Sequence, residues 1–435
     1  MQYFFPRLAN KKGVALITTF FAITVLLIFC GLFVMVSISQ NMASDRFRRR
    51  TRAFYLAESG LDRAIFWLRT QPSPPVGDKI DPWGGAQNLG EGSYTVSIFD
   101  LGMVGANSSI RRYRVRSSGS FGNITRTLTN YVQVDNYARY LWFTDREVYG
   151  GVNVWFWTQD RLNGPTHTNS HFNIYGNPVF ESEVRSVDDY IRFYNNGINV
   201  NLQQTSNSPY DEPVFLEGVD FGVQPTTMPN QALSLRSAAN SSEGIYLSGN
   251  TKVVLNSDGT MSVTNSKKKW KDKDMPLPAN GALFVNNGSL HVSGTLNGRL
   301  TVGSSSDVVI PDSIVYADDP KLNPNSDDVL GVISERDIVV SYDAPHDLEI
   351  DACMMSLGTS FMMEDWWVGP AKGTLSVYGG IIQDERGPVG TFNSLAGTKV
   401  SGYSKDYSYD PRLLSNPPPY MPTTGDYITL SWQEN

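Results

Sequence analysis

The sequence predicts an α+β protein: one long N-terminal helix, a small antiparallel sheet, then a large β-solenoid of the parallel β-helix kind. Three observations predict it. Residues 14–38 carry no charge, and no proline interrupts the chain between residues 14 and 71. Residues 92–134 alternate apolar and polar side chains in runs bounded by turns, as at Tyr94, Val96 and Ile98. Beyond residue 137, short β-forming runs are punctuated by Gly, Asn, Asp and Ser, which is how the corners of a coil are written.

The helix comes first. A 25-residue uncharged run at 14–38 reaches about 37 Å as a helix, enough to cross a bilayer with some tilt. It is too long for a secretory h-region of about 7–15 residues. Downstream, apolar residues fall at Phe54, Ala57, Leu61, Ala64, Ile65 and Leu68. Steps of three and four place them on one helical face, and Pro72 ends the pattern. One helix over 14–70 is therefore predicted, about 85 Å long.

Charge divides along the same line. Residues 1–70 hold ten Arg or Lys against three acids, and the rest holds 26 against 40, so a net −7 hides a stem of +7 and a body of −14. An acidic body disfavours broad contact with nucleic acid, so any such contact must be local. Arg7, Lys11 and Lys12 precede the apolar run and five arginines follow it within 46–52, so loop charge does not set an orientation. The two cysteines, Cys30 and Cys353, form neither a disulfide framework nor a zinc motif.

"KKG" followed by "VALITTFFAITVLL", then "RRRTRAFYLAESGLDRAIFWLR", resembles the N-terminus of type IV prepilins. The PilX-type minor pilin signature is matched at Arg52, Ala53, Phe54, Ala57, Glu58, Gly60 and Leu61. The resemblance implies a cytoplasmic leader at 1–13, cut by a prepilin peptidase after Gly13, and N-methylation of Val14. It implies that helix 14–70 waits in the inner membrane and then packs among other pilins in an extracellular filament. Most such pilins carry Glu at the fifth mature position; here it is Thr18. A subunit with no neighbour ahead of it has no use for a buried carboxylate. Thr18 therefore fits a tip or initiating subunit, unless this subgroup simply tolerates Thr. A plain single-pass anchor is the alternative, and it leaves the Lys-Lys-Gly junction and the signature unexplained.

Residues 71–90 contain four prolines and four glycines and read as a linker. Residues 71–136 then fit a pilin-like β head, 137–405 the solenoid, and 406–435 a Pro-rich C-terminal strap built on Pro417, Pro418 and Pro419. A β-sandwich is the alternative for 137–405. The stretches 161–184, 378–390 and 409–434 resemble large minor pilins, the ComZ-type competence pilins among them, that carry a parallel β-helix on a pilin stem.

Catalytic motifs are missing from the sequence. It contains no Gly-x-Ser-x-Gly elbow, phosphate loop or zinc pattern. His167 and His171 lie four apart in turn-and-strand context, and acidic pairs such as Asp318/Asp319 and Asp327/Asp328 read as solvated loops. No enzyme activity, cofactor or metal is expected; a membrane-tethered carbohydrate-active β-helix enzyme is the alternative.

The sharpest charge feature is Lys267, Lys268, Lys269, Trp270, Lys271 and Lys273. Lysines can meet phosphates and an indole can stack on a base, so this loop is a candidate for DNA or an anionic glycan. The plainer reading is a solvated loop. Trp155, Trp157, Trp366 and Trp367 would stack on sugar rings if exposed and would otherwise be core. The expected function is a minor type IV pilin, with a solenoid that binds a surface, a glycan or DNA.

Overall fold

The computed structural model describes residues 11–71, 73–104, 110–393 and 398–434, with the backbone alone for 11–14. Residues 1–10 of the expected leader lie outside them. The described chain has a long N-terminal helix, a small antiparallel sheet and a large β-rich body. It divides into two units. One holds the helix, with Arg114–Tyr131 and the residues from Thr429 onward; the other holds Leu101–Tyr113 and Val132–Ile428.

In the first unit the helix runs unbroken from Lys11 to Arg69. Among the described residues it is the one helix long and apolar enough to cross a membrane. Its two halves differ in what they bury. Leu16, Phe20, Phe29 and Phe33 are exposed, whereas Ala53, Leu56, Ala57, Leu61, Ala64 and Leu68 are buried. Of the expected stripe, Ala57, Leu61, Ala64 and Leu68 are buried and Phe54 and Ile65 half-buried; Ala53 and Leu56 are buried with them.

That stripe packs on a five-stranded sheet with spatial order Gln87–Leu89, Gly92–Met103, Arg111–Phe121, Ile124–Asn136, Thr423–Glu434. The approach is close because small residues face each other. A Cβ on Gly119 would stand 2.2 Å from the Ala53 carbonyl oxygen, and one on Gly60 would stand 2.2 Å from Ser117 Oγ. The alanines and glycine of the signature are thus contact residues of a tight helix–sheet seam.

The C-terminal strand corrects the expected strap. Residues 423–434 form an edge strand of the small sheet, where Arg126 pairs with Glu434 and Phe54 meets Trp432 edge-on at 6.1 Å. The preceding segment straps the body, through its prolines among other contacts. Arg299 Nη2 donates to the Pro417 carbonyl at 2.8 Å, and Thr301 Oγ1 donates to that of Pro419. They cross early strands of the body instead of its last ones. The strand Thr398–Tyr409 also passes the expected boundary at 405.

The second unit is built from long parallel ladders. One ladder joins Ile245–Ser248, Ala282–Asn286, Arg299–Ser304 and Val329–Ser334, then residues 353–356 and 381–383. It continues into Trp142–Arg146, Thr166–Thr168, Val184–Ser186 and Val219–Phe221. A second ladder runs from Thr251–Leu255 through residues 290–294, Val308–Ile310 and Ile338–Val340 to Phe361–Met363. A third passes through Ile314–Tyr316, residues 348–352, 374–379 and 404–409 to Arg161–Asn163, Val179–Phe180 and Val214–Phe215.

The register produces the core. Leu283, Val302, Val332, Met354, Ile381 and Trp142 are partners across successive strands, and all lie in one hydrophobic cluster. Their neighbours on the opposite face, Phe284, Ile333, Met355, Ile382 and Phe143, form a second cluster with Leu235, Ala239, Leu413 and Met421. The first ladder is therefore buried on both faces. That is why its strands read as continuous apolar runs such as "ACMMS" rather than as alternation.

Chain order and stack order differ. The chain enters mid-stack at Trp142–Arg146 and winds to Val219–Phe221. It then crosses through residues 222–244 to Ile245–Ser248 and winds back, until residues 381–383 pair with 142–144.

Candidate ligand-binding cleft

Near the place where the chain returns to its starting strand, the body holds a cavity of about 570 Å³. Three segments wall it: residues 149–160, the turn bearing Trp366, and the hairpin of Gly390–Asn393 with Thr398–Tyr409. Its lining is rich in aromatic rings. Trp157 stacks on Phe392 with centroids 4.5 Å apart, Trp155 meets Tyr194 edge-on at 5.5 Å, and Trp366 meets Tyr149 edge-on at 6.4 Å. The three indoles are half-buried, so each is held by packing and still reaches the cleft.

Beneath the rings lies a buried charge cluster. Arg386 is 1% exposed. Its Nη1 is 3.1 Å from Glu147 Oε2, its Nη2 is 3.6 Å from Asp160 Oδ2, and its guanidinium carbon lies 3.5 Å from the Phe156 ring centroid. Lys405 Nζ donates to both Asp160 oxygens, at 2.9 and 3.2 Å, and its burial pushes the ammonium pKa down. Glu147 also accepts from Thr144 Oγ1 at 2.5 Å and from Trp142 Nε1 at 3.3 Å. Two buried carboxylates are thus balanced by the buried Arg386 and the half-buried Lys405, each with hydrogen bonds, which is the condition for tolerating buried charge.

Sequence reading did not find this cluster, and no spacing signal existed to find it. Glu147 and Asp160 are separated from Arg386 and Lys405 by more than 200 residues. They meet because residues 381–385 pair with Trp142–Arg146 and residues 407–408 with Leu162 and Asn163.

The lysine-rich stretch is part of a β-hairpin: Lys267, Lys268 and Lys269 lie in its turn, and Trp270, Lys271 and Lys273 on its second strand. Strands Thr260–Asn265 and Trp270–Pro276 pair antiparallel, with the turn at 266–269. Lys267, Lys268, Lys269, Lys271 and Lys273 are exposed. Trp270 is not a free platform: it packs on the core, and Lys273 Nζ sits 4.0 Å from its ring centroid. Asp272 and Asp274 interrupt the basic run and bond to Thr264 and Ser262. The hairpin extends the Thr251–Leu255 strand at one end of the second ladder. The cleft lies near the other end, where Tyr149 Oη donates to Met362 Sδ at 3.1 Å. Five strand pairings lie between Thr260–Asn265 and Phe361–Met363, about 24 Å, so the two form separate candidate sites.

The histidines have structural partners. His167 is stacked on Phe143 at 5.0 Å and its Nε2 bonds Asn169 at 2.9 Å; burial pushes its pKa down to about 4. His171 Nδ1 bonds Asp188 at 2.9 Å. Asp328 closes backbone turns at Gly298 and Asp318. Among the described residues, no group of three or more His, Cys, Asp or Glu is placed to hold a metal ion. Gly13 and Val14 lie in the first turns of the helix, and Thr18 Oγ1 donates back to the Ala15 carbonyl at 3.0 Å.

Residues 96–188 match a family model described as a domain of unknown function, DUF4900. No curated protein matches the chain. Among solved structures, the competence-associated pilin ComZ from Thermus thermophilus is similar at 12% identity, covering 89% of this chain and 97% of that one, with a TM-score of 0.32. That likeness is too distant to carry an argument.

Proposed function

We propose that the chain is a minor type IV pilin of the PilX kind, displaying a β-solenoid that binds an external ligand. One observation carries the reading: a single helix, Lys11–Arg69, has a distal half packed on its own sheet and a proximal half left bare and apolar. A bare half of that length needs lipid before assembly and neighbouring helices after it. The Lys11-Lys12-Gly13 junction and the signature at 52–61 add a sequence argument that a plain tether lacks. On this reading a prepilin peptidase cuts after Gly13, Val14 is N-methylated, and the stem passes from the inner membrane into the filament.

Thr18 favours a tip or initiating position. Its hydroxyl is turned to its own helix and it offers no carboxylate to a neighbour's amine. The three-ladder body supports the solenoid reading, since parallel strands recur in register around one core.

A binding role is favoured over an enzymatic one at the cleft. Its two carboxylates are 1% and 3% exposed and bound to cations, whereas a glycosidase needs a carboxyl free to donate a proton. Immunogold imaging of filaments tests the assignment. Labels at filament ends support a tip subunit, and labels confined to the cell envelope would leave only a tethered ectodomain. If the lysine hairpin captures DNA, replacing Lys267, Lys268 and Lys269 by Ala lowers DNA uptake; unchanged uptake removes it from consideration.

A further inference from the structure

We infer that the cleft beneath Trp155, Trp157 and Trp366 binds an uncharged sugar ring, a neutral hexopyranose of a glycan chain. This rests on the reading of the body as a ligand-displaying domain and names the ligand class.

The floor of the cleft excludes charged ligands by its own bookkeeping. Glu147 and Asp160 are matched by Arg386 and Lys405. One further cation, Lys399, lines the cleft, and its Nζ donates to the Lys372 carbonyl, the Gly373 carbonyl at 2.9 Å and Ser404 Oγ at 3.1 Å. An ammonium has three N–H donors, so Lys399 has none left for a phosphate or carboxylate. An anionic polymer would therefore meet a single unmatched charge, that of Lys399, with its donors already occupied. A cationic ligand would meet carboxylates already held by guanidinium and ammonium.

The walls exclude a purely aliphatic ligand. An acyl chain would cut the exposed Gln159 amide off from water without replacing its hydrogen bonds, at a cost. A pyranose satisfies both sets of demands. Its C–H face lies against an indole face, and its hydroxyls exchange hydrogen bonds with Gln159 and Thr391 at the rim. About 570 Å³ falls in the range of small-ligand clefts.

The test uses the full chain in a zwitterionic detergent free of sugar, titrated with maltohexaose, cellohexaose and chitohexaose while intrinsic tryptophan fluorescence is followed. An alginate hexamer and a single-stranded oligonucleotide are run in parallel. Saturable binding of at least one neutral oligosaccharide is expected, little changed between low and high salt. Trp157→Ala and Trp366→Ala should each weaken it at least about tenfold. Trp157→Phe, which keeps a ring, should retain most of it, and a triple Lys267→Ala, Lys268→Ala, Lys269→Ala variant should bind as the parent does.

Three results would overturn the inference: no neutral oligosaccharide binds, the alanine variants bind like the parent, or alginate binds in preference. Filament incorporation of the same variants separates the two layers. Lost sugar binding with normal incorporation is expected of the Trp→Ala variants. A parent chain that binds sugar yet never enters filaments would sink the pilin reading and leave the cleft standing.

Discussion

At the scale of single residues, Arg386 holds the cleft floor. It is buried against Glu147, Asp160 and the Phe156 ring. Removing one member of such a cluster leaves a buried charge uncompensated, which costs about 3–5 kcal/mol. Arg386→Met should lower stability by that amount in chemical unfolding. His167 supplies a pH test. Its pKa is about 4 in the fold against an ordinary 6.5, because burial disfavours the imidazolium. The fold therefore favours neutral His167. Stability from this source is complete above pH 6.5 and is lost as pH falls toward 4, by about 3 kcal/mol. His171 and His291, also pushed down by burial, act in the same direction. Unfolding measured from pH 7 to 4 should show a shallower acid loss in His167→Phe than in the parent.

At the scale of elements, the helix was legible in the sequence because its signals are local: an uncharged run, a 3–4 periodicity and a proline stop. Most of its buried stripe was legible too, at Ala57, Leu61, Ala64 and Leu68; Ala53 and Gly60, which complete the close seam, were not, because a search for large apolar residues passes over them. Gly119 tests the seam. A Cβ there would lie 2.2 Å from the Ala53 oxygen and 2.3 Å from the Ala57 nitrogen, both backbone atoms that cannot step aside. Gly119→Ala should cost about 1–3 kcal/mol as overpacking, read as a lowered midpoint of thermal unfolding. The strand Trp270–Pro276 was not legible because its lysines and aspartates mask strand propensity, whereas the turn at 266–269 was.

At the scale of the whole molecule, strand-rich texture was legible but stacking order was not. Short β runs and Gly/Asn corners are written locally. That residues 381–383 return to pair with 142–144, and so assemble the cleft, depends on contacts across more than 200 positions that leave no trace in spacing. The same topology makes a prediction. A protease site inserted after the exposed Asn230, in the crossing segment, should yield a nicked chain that still migrates as one species on native gels. The two pieces share a ladder at 142–144 and another at 162–163. Separation of the fragments without denaturant would contradict the stacking order.

The central claim concerns the stem: a helix cut at its start that leaves lipid for a filament. Mass spectrometry of the native protein's N-terminal peptide tests it most directly. A methylated amine on Val14 with residues 1–13 gone is the expected result. Met1 retained on an unmodified leader would contradict it.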